Sequence, residues 1–338
     1  MKLKEATKLR FSKIIQRKKL KWGIAGCGRF SETAILPAIE ALKRSQLVSI
    51  YSHDLKRAKS LATKFSSLSA YDNYSEFLRQ DFDIVYIGSA NADHYQQVIE
   101  AARAGKHILC EKPLAMNSIQ AREMVEECEK NNVVLSVNYV HRFHPLSVKA
   151  KELVEMGYIG KIVHVTASFD IDYVPDENFR FRKDRSGGGA LRDLGTHMID
   201  VLRYFGGEVE SSSGYIDNIV YKSEVDDFST GMVKFENGGY GNFSCSFSVK
   251  AGFNRIEIIG HKGSISIENL VGGRDKSVKL TINLAGEGKK SFRRRGNKIN
   301  FRLKALQNDM LKGLRPEVSG SDGYKNMLIM ESIENVSL

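Results

Sequence analysis

The chain has 338 residues, of which 42% are hydrophobic and 27% are charged, and its formal net charge is +11. This length exceeds an ordinary domain of roughly 100 to 200 residues, so we expect two domains. The four cysteines form no CxxC pair, which argues against a disulfide scaffold or a zinc site and favours a reducing, cytoplasmic setting. No run approaches the ~18 apolar residues of a membrane span, so we expect no stable membrane insertion.

Much of the positive charge lies at the start of the chain, where residues 1–21 hold nine Lys or Arg against Glu5. We expect residues 1–20 to be a basic extension, either disordered or an amphipathic helix against lipid or another subunit, and not a signal peptide. A second basic cluster lies in a polar stretch with few aromatic residues, so we expect a solvated surface and no nucleic-acid partner. It comprises Lys289, Lys290, Arg293, Arg294, Arg295 and Lys298.

From Lys21 to Asn138, short apolar runs alternate with helical patterns, which predicts βαβ units around a parallel sheet. The predicted strands are LKWGIAG, LVSIYS, DIVYIGS, HILCEK and VVLSVNY, with helices near 55–66, 75–79, 94–104 and 118–131. We therefore expect an α/β Rossmann dinucleotide-binding domain over residues 21–140.

Past Arg142 the strands become longer and alternate apolar with polar residues, which is typical of antiparallel sheets. The predicted strands are IVHVTASFDI, DDFSTGMVKFE, GYGNFSCSFSV, RIEIIG and GSISIEN. We expect an α+β domain over 141–338, with a large open, mostly antiparallel sheet for substrate binding and oligomerisation. Its largest helix is predicted at 192–205, and a last helix, about 322–335, is a candidate to pack back on the Rossmann domain. We expect an apolar exposed face on the sheet, covered in a homodimer or homotetramer.

A glycine motif, Gly26-x-Gly28-x-x-Ser31, stands where the first predicted strand turns into a helix. Gly26 can make the tight turn, and Gly28 lets a pyrophosphate approach the backbone at the helix N-terminus. Ser31 stands where Gly or Ala is usual, and a P-loop is excluded because no Gly-Lys-Ser/Thr follows. The motif predicts dinucleotide binding.

The end of the second strand decides between NAD and NADP. The acid that would hold a ribose 2′-hydroxyl is expected about 20 residues after the glycines, but Ser52 stands there, and His53, Lys56 and Arg57 follow. A hydroxyl and cations would accept a 2′-phosphate, so NADP is favoured, while the nearby Asp54 keeps NAD possible. The alternative interpretation is a solvated, basic helix start.

Asp193 and His197 lie four residues apart, just after the glycine run 187–189, and they would project from one face of a helix. The glycines would let backbone crowd a ligand, and an imidazole can move a proton near neutral pH. Alone, the pair would favour the structural interpretation, a capping Asp at the helix start and a histidine satisfied by backbone. Together with Lys112, which follows the strand HILC at an edge where α/β sheets bind ligands, they predict a dehydrogenase site.

The chain resembles the Gfo/Idh/MocA family of nicotinamide-dependent oxidoreductases, which includes glucose–fructose oxidoreductase and inositol dehydrogenase. The resemblance covers nearly everything from Lys21 to the C-terminus, and Ala90 departs from it where the family usually has Pro. It is carried by GIAGCGRFS, SANADHYQQVIEAARAGKHILCEKPLA, NYVHRFHP, MGYIGKIVHV, GGGALRDLGTHMIDVLRYFGG and IIGHKGSISIEN.

The resemblance implies hydride transfer between a nicotinamide and a secondary alcohol or ketone of a sugar, sugar derivative or polyol. It implies that Lys112, Asp193 and His197 are catalytic, that Lys112 contacts nicotinamide ribose and substrate hydroxyl, and that the peptide before Pro113 is cis. His94 matches a family histidine of the loop after the fourth strand, near the nicotinamide, although it could instead cap the next helix. The expected cofactor contacts are Gly26, Gly28, Arg29, Phe30, Ser52, His53, Arg57, Ser89, Asn91, His94, Glu111 and Lys112.

The segment 170–186 is polar, aromatic and rich in arginine. The expected substrate contacts are Tyr173, Arg180, Arg182, Asp193 and His197, with Phe179 and Arg185 as further candidates. Planar guanidinium groups suit a carboxylate or phosphate, so a nucleotide-linked sugar, a sugar acid and a simple polyol all stay open. The alternative is a mobile surface loop with solvated arginines.

His141 and His144 form an HxxH without the helix and Glu base that a metal site would need, so we expect no metal. The alternative function is a non-catalytic dinucleotide-binding sensor of the same fold. The presence of Lys112, Asp193 and His197 favours an enzyme, because a sensor would not require them.

Overall fold

The structure is a computed structural model that describes residues 19–252, 254–272 and 276–336. The chain divides into two compact units. The first unit comprises residues up to Asn138 together with Ile299–Tyr324, and the second comprises Tyr139–Lys298 together with the residues from Lys325 onward. Within the described ranges, no helix is both long and apolar enough to cross a bilayer. The predicted extension over 1–20 lies, apart from its last two residues, outside the described part of the chain.

The first unit is built on a parallel sheet, which has six strands within the described residues, in the order β3-β2-β1-β4-β5-β6. The strands are β1 Leu20–Ala25, β2 Ser45–Tyr51, β3 Ser69–Tyr71, β4 Ile84–Ile87, β5 His107–Cys110 and β6 Leu135–Val137. Every residue of β4 and β5 is buried, as expected for a sheet covered on both faces. The strand order reverses beside β1, which is where such sheets bind dinucleotides. The predicted Rossmann fold is confirmed.

The helices after these strands start close to where the sequence predicted them. A π segment, Ser31–Ile35, leads directly into the first α-helix. The helices are α1 Leu36–Glu40, α2 Leu55–Lys64, α3 Tyr74–Leu78, α4 Asn91–Arg103 and α5 Ser118–Lys130. The side chains of Asp54, Asn73 and Asn117 accept backbone N–H groups at the starts of α2, α3 and α5. These local caps explain why the helix starts are readable from sequence.

The second unit contains a larger sheet, whose eight described strands have the order β14-β13-β12-β11-β7-β10-β9-β8. They are β7 Ile162–Asp170, β8 Val209–Asp217, β9 Phe228–Phe235, β10 Tyr240–Ser246, β11 Asn254–Gly260, β12 Gly263–Glu268, β13 Val278–Leu284 and β14 Gly288–Arg294. The β7–β10 pair is parallel, and the other described pairs are antiparallel. The predicted open, mostly antiparallel sheet is confirmed.

Helices cover one face of this sheet. The remaining α-helices of the chain's described residues are α6 Pro145–Glu155, α7 Lys183–Ser186, α8 Thr196–Gly206, α9 Lys298–Lys312 and α10 Gly320–Val336. Helix α8 packs on β7 and β10, and α6 packs on β12 and β13. Val165, Ala167 and Phe169 of β7 are buried on the covered face. The prediction that the helix at 192–205 is the largest here is wrong, because the helical stretch there, 191–206, has 16 residues and α10 has 17.

The other face of the sheet corrects a second prediction. One row of cross-strand neighbours on this face runs through Met232, Asn242, Thr166, Glu257 and Ser266, and the next runs through Thr230, Ser244, Ser168, Arg255 and Glu268. The expected apolar face is therefore wrong along these two rows, whose side chains are mostly polar, because the buried apolar residues of these strands point to the covered side. Exposed large apolar side chains on the open face are Tyr215, Met232, Tyr240 and Ile259.

The second basic cluster forms a strand that the sequence did not predict. Every residue of β14 is exposed, and the strand lies at the sheet edge. Lysine and arginine on an edge strand oppose pairing with another sheet. Lys298, the last member of the cluster, instead begins α9 and is only 4% exposed.

Candidate functional site

The glycine motif lies between β1 and the π segment Ser31–Ile35. Gly26 has φ +98°, a conformation that favours glycine. A Cβ at Gly26 would lie 2.5 Å from the carbonyl carbon of Gly88 and 2.6 Å from the nitrogen of Ser89. At Gly28, no described heavy atom beyond the chain neighbours lies within 4 Å of the Cβ position. This open space at a helix start fits an approaching pyrophosphate.

The residues predicted to contact the cofactor all follow carboxyl ends of parallel strands of the first unit, at one edge of the sheet. Arg29 and Phe30 are exposed beside the glycines. Ser89 Oγ donates to Gln97 Oε1 at 2.8 Å, and Asn91 is 8% exposed at the start of α4. The structure thus brings the predicted residues to the edge that binds dinucleotides in this topology.

After β2, the side chains of Asp54 and Arg57 both have partners within the protein. The Asp54 carboxylate accepts the N–H groups of Lys56 at 2.9 Å and Arg57 at 3.2 Å, and Ser52 Oγ accepts the N–H of Asp54 at 3.2 Å. Arg57 Nε donates to the carbonyl of Cys27 at 3.2 Å, and its Nη2 pairs with Glu32. Arg57 therefore links α2 to the glycine loop, while His53 and Lys56 are exposed.

Glu111 precedes Lys112 at the end of β5 and connects three strand ends. Its Oε1 accepts from Tyr86 Oη at 3.0 Å and from Asn138 Nδ2 at 2.6 Å, and its Oε2 accepts the N–H of Lys112 at 3.3 Å. Burial raises the pKa of Glu111, while Asn138, Lys112 and Tyr86 lower it. The carboxylate thus fixes the backbone from which Lys112 projects. Sequence reasoning missed Asn138, whose only signal is its place near the end of the predicted strand VVLSVNY.

His94 is completely buried, as the fourth residue of α4. The expectation of a loop position is wrong because α4 begins at Asn91, and the alternative of a helix cap is wrong because Ala90 occupies the N-cap position. His94 Nδ1 lies 3.0 Å from the carbonyl oxygen of Pro113, so Nδ1 carries the hydrogen. Burial lowers the pKa of His94. The Lys112–Pro113 peptide is cis, as the resemblance implied, and His94 supports this segment from the side of α4.

Asp193 and His197 lie in one helical stretch of the second unit with a change of winding between them. Asp193 is in a π segment, Leu191–Gly195, and His197 is the second residue of α8. We predicted a regular α-helix over both residues, and the wider π turn is a correction at Asp193. Short π segments inside α-helices occur frequently at functional sites.

The glycine run before this stretch does not admit a ligand at Gly189. A Cβ there would lie 1.9 Å from the backbone oxygen of Asp226. The Asp226 carboxylate accepts the N–H groups of Gly189 at 2.7 Å and Leu191 at 2.8 Å. The prediction that the run lets backbone crowd a ligand is therefore wrong at this glycine, because the chain's own loop before β9 fills the space. Sequence reasoning missed Asp226.

Two aromatic rings hold His197. Its ring centroid lies 4.6 Å from that of His141 and 6.2 Å from that of Tyr139, in edge-to-face arrangements. Tyr139 Oη lies 2.9 Å from Oγ1 of Thr196, the residue before His197. His141, which we considered only as a metal ligand, is thus a neighbour of the predicted proton carrier. Among the described residues, no group of three or more His, Cys, Asp or Glu is placed to hold a metal ion.

Asp193 lies beside two of the predicted substrate contacts. Arg180 Nε is 3.4 Å from Asp193 Oδ2, and the two side chains are 32% and 20% exposed. The Tyr173 ring packs edge-to-face on Phe181 and Phe247. Burial raises the pKa of Tyr173, and the charge and hydrogen bond of Arg180 lower it. The structure therefore joins Tyr173, Arg180 and Asp193.

Arg182 lies apart from this group in its described contacts. Its Nη2 pairs with Asp184 Oδ2 at 3.0 Å, and both side chains are mostly exposed. The predicted contact of Arg182 with substrate stays a prediction.

Comparison with known proteins agrees with this geometry. Residues 20–139 match the model of an oxidoreductase family with an NAD-binding Rossmann fold, and residues 147–266 match the GFO/IDH/MocA C-terminal domain. The trans-1,2-dihydrobenzene-1,2-diol dehydrogenase of Macaca fuscata fuscata is 30% identical over 258 residues, which are 74% of this chain and 75% of that enzyme. The chain belongs to the GFO/IDH/MocA family.

Two solved structures are similar over nearly the whole chain. The aldose–aldose oxidoreductase from Caulobacter crescentus, complexed with glycerol, is 26% identical with a TM-score of 0.86, covering 94% of this chain and 97% of that one. A levoglucosan dehydrogenase in complex with NADH and levoglucosan is 25% identical with a TM-score of 0.85 and the same coverage. The protein is thus an oxidoreductase that uses a nicotinamide dinucleotide, NAD or NADP.

Proposed function

We propose that the protein is a dehydrogenase or reductase that acts on a secondary alcohol or ketone of a sugar, sugar derivative or polyol. The observation that carries this proposal is the grouping of Asp193, Arg180 and Tyr173 beside the helical stretch that also holds His197. These side chains can donate to and accept from several hydroxyl groups, and the imidazole can move a proton. The similar structures hold glycerol and levoglucosan, which are polyhydroxy compounds.

The proposed roles follow from the chemistry of each side chain. When bound, the nicotinamide dinucleotide supplies the acceptor or donor of the hydride. His197 takes the hydroxyl proton in the oxidative direction, and the Asp193 carboxylate accepts a hydrogen bond that orients the hydroxyl. The ammonium of Lys112 stabilises negative charge that develops on the oxygen. Lys112 belongs to the first unit and the other two to the second, so their joint action is part of the proposal.

We propose the cofactor-contact residues on the same basis. Gly26 and Gly28 would hold the pyrophosphate at the helix start, with Arg29, Phe30, Ser89 and Asn91 nearby at the same sheet edge. His94 and Glu111 would act by supporting the segment around Lys112. NADP is the proposed preference, because Ser52 carries no charge and the Asp54 carboxylate is turned to its own helix. Exposed His53 and Lys56 support this choice, whereas Arg57 is already paired with Glu32.

We also propose a homodimer or homotetramer in the cytoplasm, with residues 21–140 as cofactor domain and 141–338 as substrate and oligomerisation domain, apart from 299–324, which belong to the first unit. The open sheet face supports the assembly, because four large apolar side chains, Tyr215, Met232, Tyr240 and Ile259, are exposed on it among polar neighbours. The four cysteines are buried free thiols, which supports a reducing compartment. Sedimentation velocity at micromolar concentration tests the assembly, and monomer alone would contradict it.

The test of the activity is a panel of neutral and acidic polyhydroxy compounds. Glycerol, levoglucosan, glucose, myo-inositol and glucuronate would be incubated with NADP+ or NAD+ and the purified protein, and reduced cofactor recorded by its absorbance. We expect turnover of at least one compound, and its loss in His197→Ala. Turnover that survives in His197→Ala would contradict the assigned proton carrier.

A further inference from the structure

The helical stretch that carries Asp193 and His197 starts without a cap of its own. Ala190 occupies its N-cap position and offers no side-chain hydrogen bond. The first N–H groups of a helix have no partners within the helix, and leaving them unpaired in a buried place is costly. The partners must therefore come from elsewhere in the chain.

Asp226 supplies them. Its carboxylate accepts the N–H of Gly189 through Oδ1 at 2.7 Å and that of Leu191 through Oδ2 at 2.8 Å. Its backbone carbonyl accepts the N–H of Ala190 at 2.9 Å. Three successive N–H groups at the helix start are thus bound by one residue that is only 9% exposed. An anion at this end also interacts favourably with the helix dipole.

Asp226 packs closely against the start of the helical stretch. The Cβ position of Gly189 is 1.9 Å from the Asp226 oxygen, so a side chain there would force the two segments apart. Cys245 Sγ also contacts the helix start, at 3.4 Å from the carbonyl oxygen of Ala190. The next residue, Asp227, joins this loop to the sheet just before β9, because its N–H donates to the carbonyl of Asp217 at 3.0 Å and its carbonyl accepts the N–H of Phe247 at 2.8 Å. The helix start is therefore fastened to the sheet through Asp226.

We propose that Asp226 is a positioning residue for the reaction, which fixes the start of the helical stretch and thereby the place of the Asp193 carboxylate. Asp193 lies two residues after Leu191, and the Asp193 N–H also donates to the carbonyl of Gly189 at 2.9 Å. A shift of the helix start thus moves Asp193 directly. The inference rests on the proposed function, because it assigns Asp193 to the orientation of substrate.

The neighbouring Asp227 offers a matched control. Its carboxylate accepts three backbone N–H groups, those of Ile219, Val220 and Tyr221, at 2.8, 2.8 and 2.6 Å, and it is 2% exposed. Asp227 has the same chemistry and similar burial, but its carboxylate binds a loop instead of the helical stretch. A change to Asn at either position removes a buried anion that is bound by backbone.

The experiment compares Asp226→Asn with Asp227→Asn in the full-length protein. Both variants are expected to lower the melting temperature. With the panel compound that the wild type turns over fastest, Asp226→Asn should lower kcat by about 10- to 100-fold, because small misplacements of reacting groups cost rates of this order. Its Kd for the reduced cofactor should stay within about twofold of wild type, and Asp227→Asn should keep near wild-type kcat.

A double-variant cycle separates positioning from general destabilisation. In an Asp193→Asn background, Asp226→Asn should lower kcat little further, since the residue it positions has lost its charge. If the two effects multiply, or if Asp227→Asn lowers kcat as much as Asp226→Asn, the proposal is overturned. Should Asp226→Asn not fold, Asp226→Ser, whose hydroxyl keeps one acceptor, carries the same comparison.

The outcomes also separate this inference from the proposed function. If Asp193→Asn keeps wild-type kcat, Asp193 has no role in the reaction, and both proposals fail at that residue. If Asp193→Asn is impaired and Asp226→Asn is not, only the positioning role of Asp226 fails. The result that supports both proposals is a lower kcat in Asp193→Asn, a lower kcat in Asp226→Asn, and a double variant whose kcat is little lower than that of Asp193→Asn.

Discussion

Two glycine-containing segments in this chain lead into π segments, and they differ in what occupies the space beside the glycine. After β1, the segment with Gly26 and Gly28 leads into Ser31–Ile35, and a Cβ at Gly28 would meet no described atom within 4 Å. In the second unit, Gly187–Gly189 leads into Leu191–Gly195. A Cβ at Gly189 would lie 1.9 Å from the backbone oxygen of Asp226. One helix start is open for an external anion, and the other already holds the chain's own carboxylate.

The difference teaches what a glycine run means in a sequence. Glycine reports that another group approaches the backbone closely, but it does not report whether that group is a ligand or another part of the chain. The first helix start has the properties of a binding site, whereas the second has the properties of a rigid support for Asp193 and His197. Substitutions at the first should therefore change cofactor affinity, and those at the second should change turnover or stability.

The largest expected effect is the loss of turnover in His197→Ala. Removing a positioned acid–base group costs about 10² to 10⁴ in rate, and we expect a loss in this range in kcat with cofactor Kd within about twofold of wild type. Steady-state kinetics and cofactor titration measure the two quantities. His261→Ala, in the exposed turn between β11 and β12, is the control and should keep wild-type kinetics.

The pair Gly189→Ala and Gly28→Ala tests the comparison itself. Gly189→Ala should lower the free energy of unfolding by about 3 kcal/mol or more, because a methyl group would overlap the Asp226 oxygen. Gly28→Ala should fold with nearly wild-type stability and bind NADP(H) at least about tenfold more weakly, since its Cβ enters only the proposed pyrophosphate space. Chemical denaturation and calorimetric titration give both values. Equal destabilisation by the two substitutions would remove the distinction between the helix starts.

Local patterns in the sequence were sufficient for much of the fold. The Rossmann strands were predicted from short apolar runs and the helices between them from helical patterns, and the structure adds side-chain caps at the starts of α2 and α5. Strand β14 was missed because none of its residues is buried, and β8 because its one buried residue, Gly214, gives no apolar alternation. Strand β3, with three residues, is too short to show a period.

The residues of the candidate site also fall into two groups, those that a local motif predicts and those that only the structure shows. Lys112, Asp193 and His197 were identified because each stands in a recognisable local motif. Their supporting partners were not, because the partners are distant in sequence. Asn138 is 27 residues from Glu111, and Asp226 is 35 residues from Leu191. A single sequence does not state which distant polar residue meets which backbone group, so these contacts needed the structure.

Lys298 is a buried cation whose ammonium group donates to backbone carbonyls, whereas Asp226 is a buried anion that accepts from backbone N–H groups. Its Nζ donates to the carbonyls of Leu270 at 2.5 Å and Gly272 at 3.0 Å, and burial lowers its pKa from 10.5 to about 8. The unfolded chain therefore binds this proton more tightly than the folded protein. Consequently the free energy of unfolding should rise with pH between about 8 and 10.5.

The size of that rise follows from the pKa difference and should be at most about 3 kcal/mol, at 1.36 kcal/mol for each unit. Lys298→Met should lose this contribution, so the difference between variant and wild type should change across the window. Urea denaturation at pH 7, 8, 9 and 10 measures it, and the exposed Lys290→Met in β14 controls for net charge. A constant difference between Lys298→Met and wild type over this range would show that Lys298 is not the titrating group.

The smallest expected effect concerns cofactor choice at the open helix start. Ser52→Asp should reverse the preference for NADP over NAD, because a carboxylate at the end of β2 would repel the 2′-phosphate and accept the ribose 2′-hydroxyl. We expect the ratio of the two Kd values to change by at least about tenfold, which corresponds to about 1.4 kcal/mol. Calorimetric titration with both reduced cofactors gives the ratio. Ser60→Asp, at an exposed position of α2, controls for the added charge. A wild type that binds NAD(H) as tightly as NADP(H) would contradict the proposed preference, and an unchanged ratio in Ser52→Asp would show that the adenosine ribose lies away from Ser52.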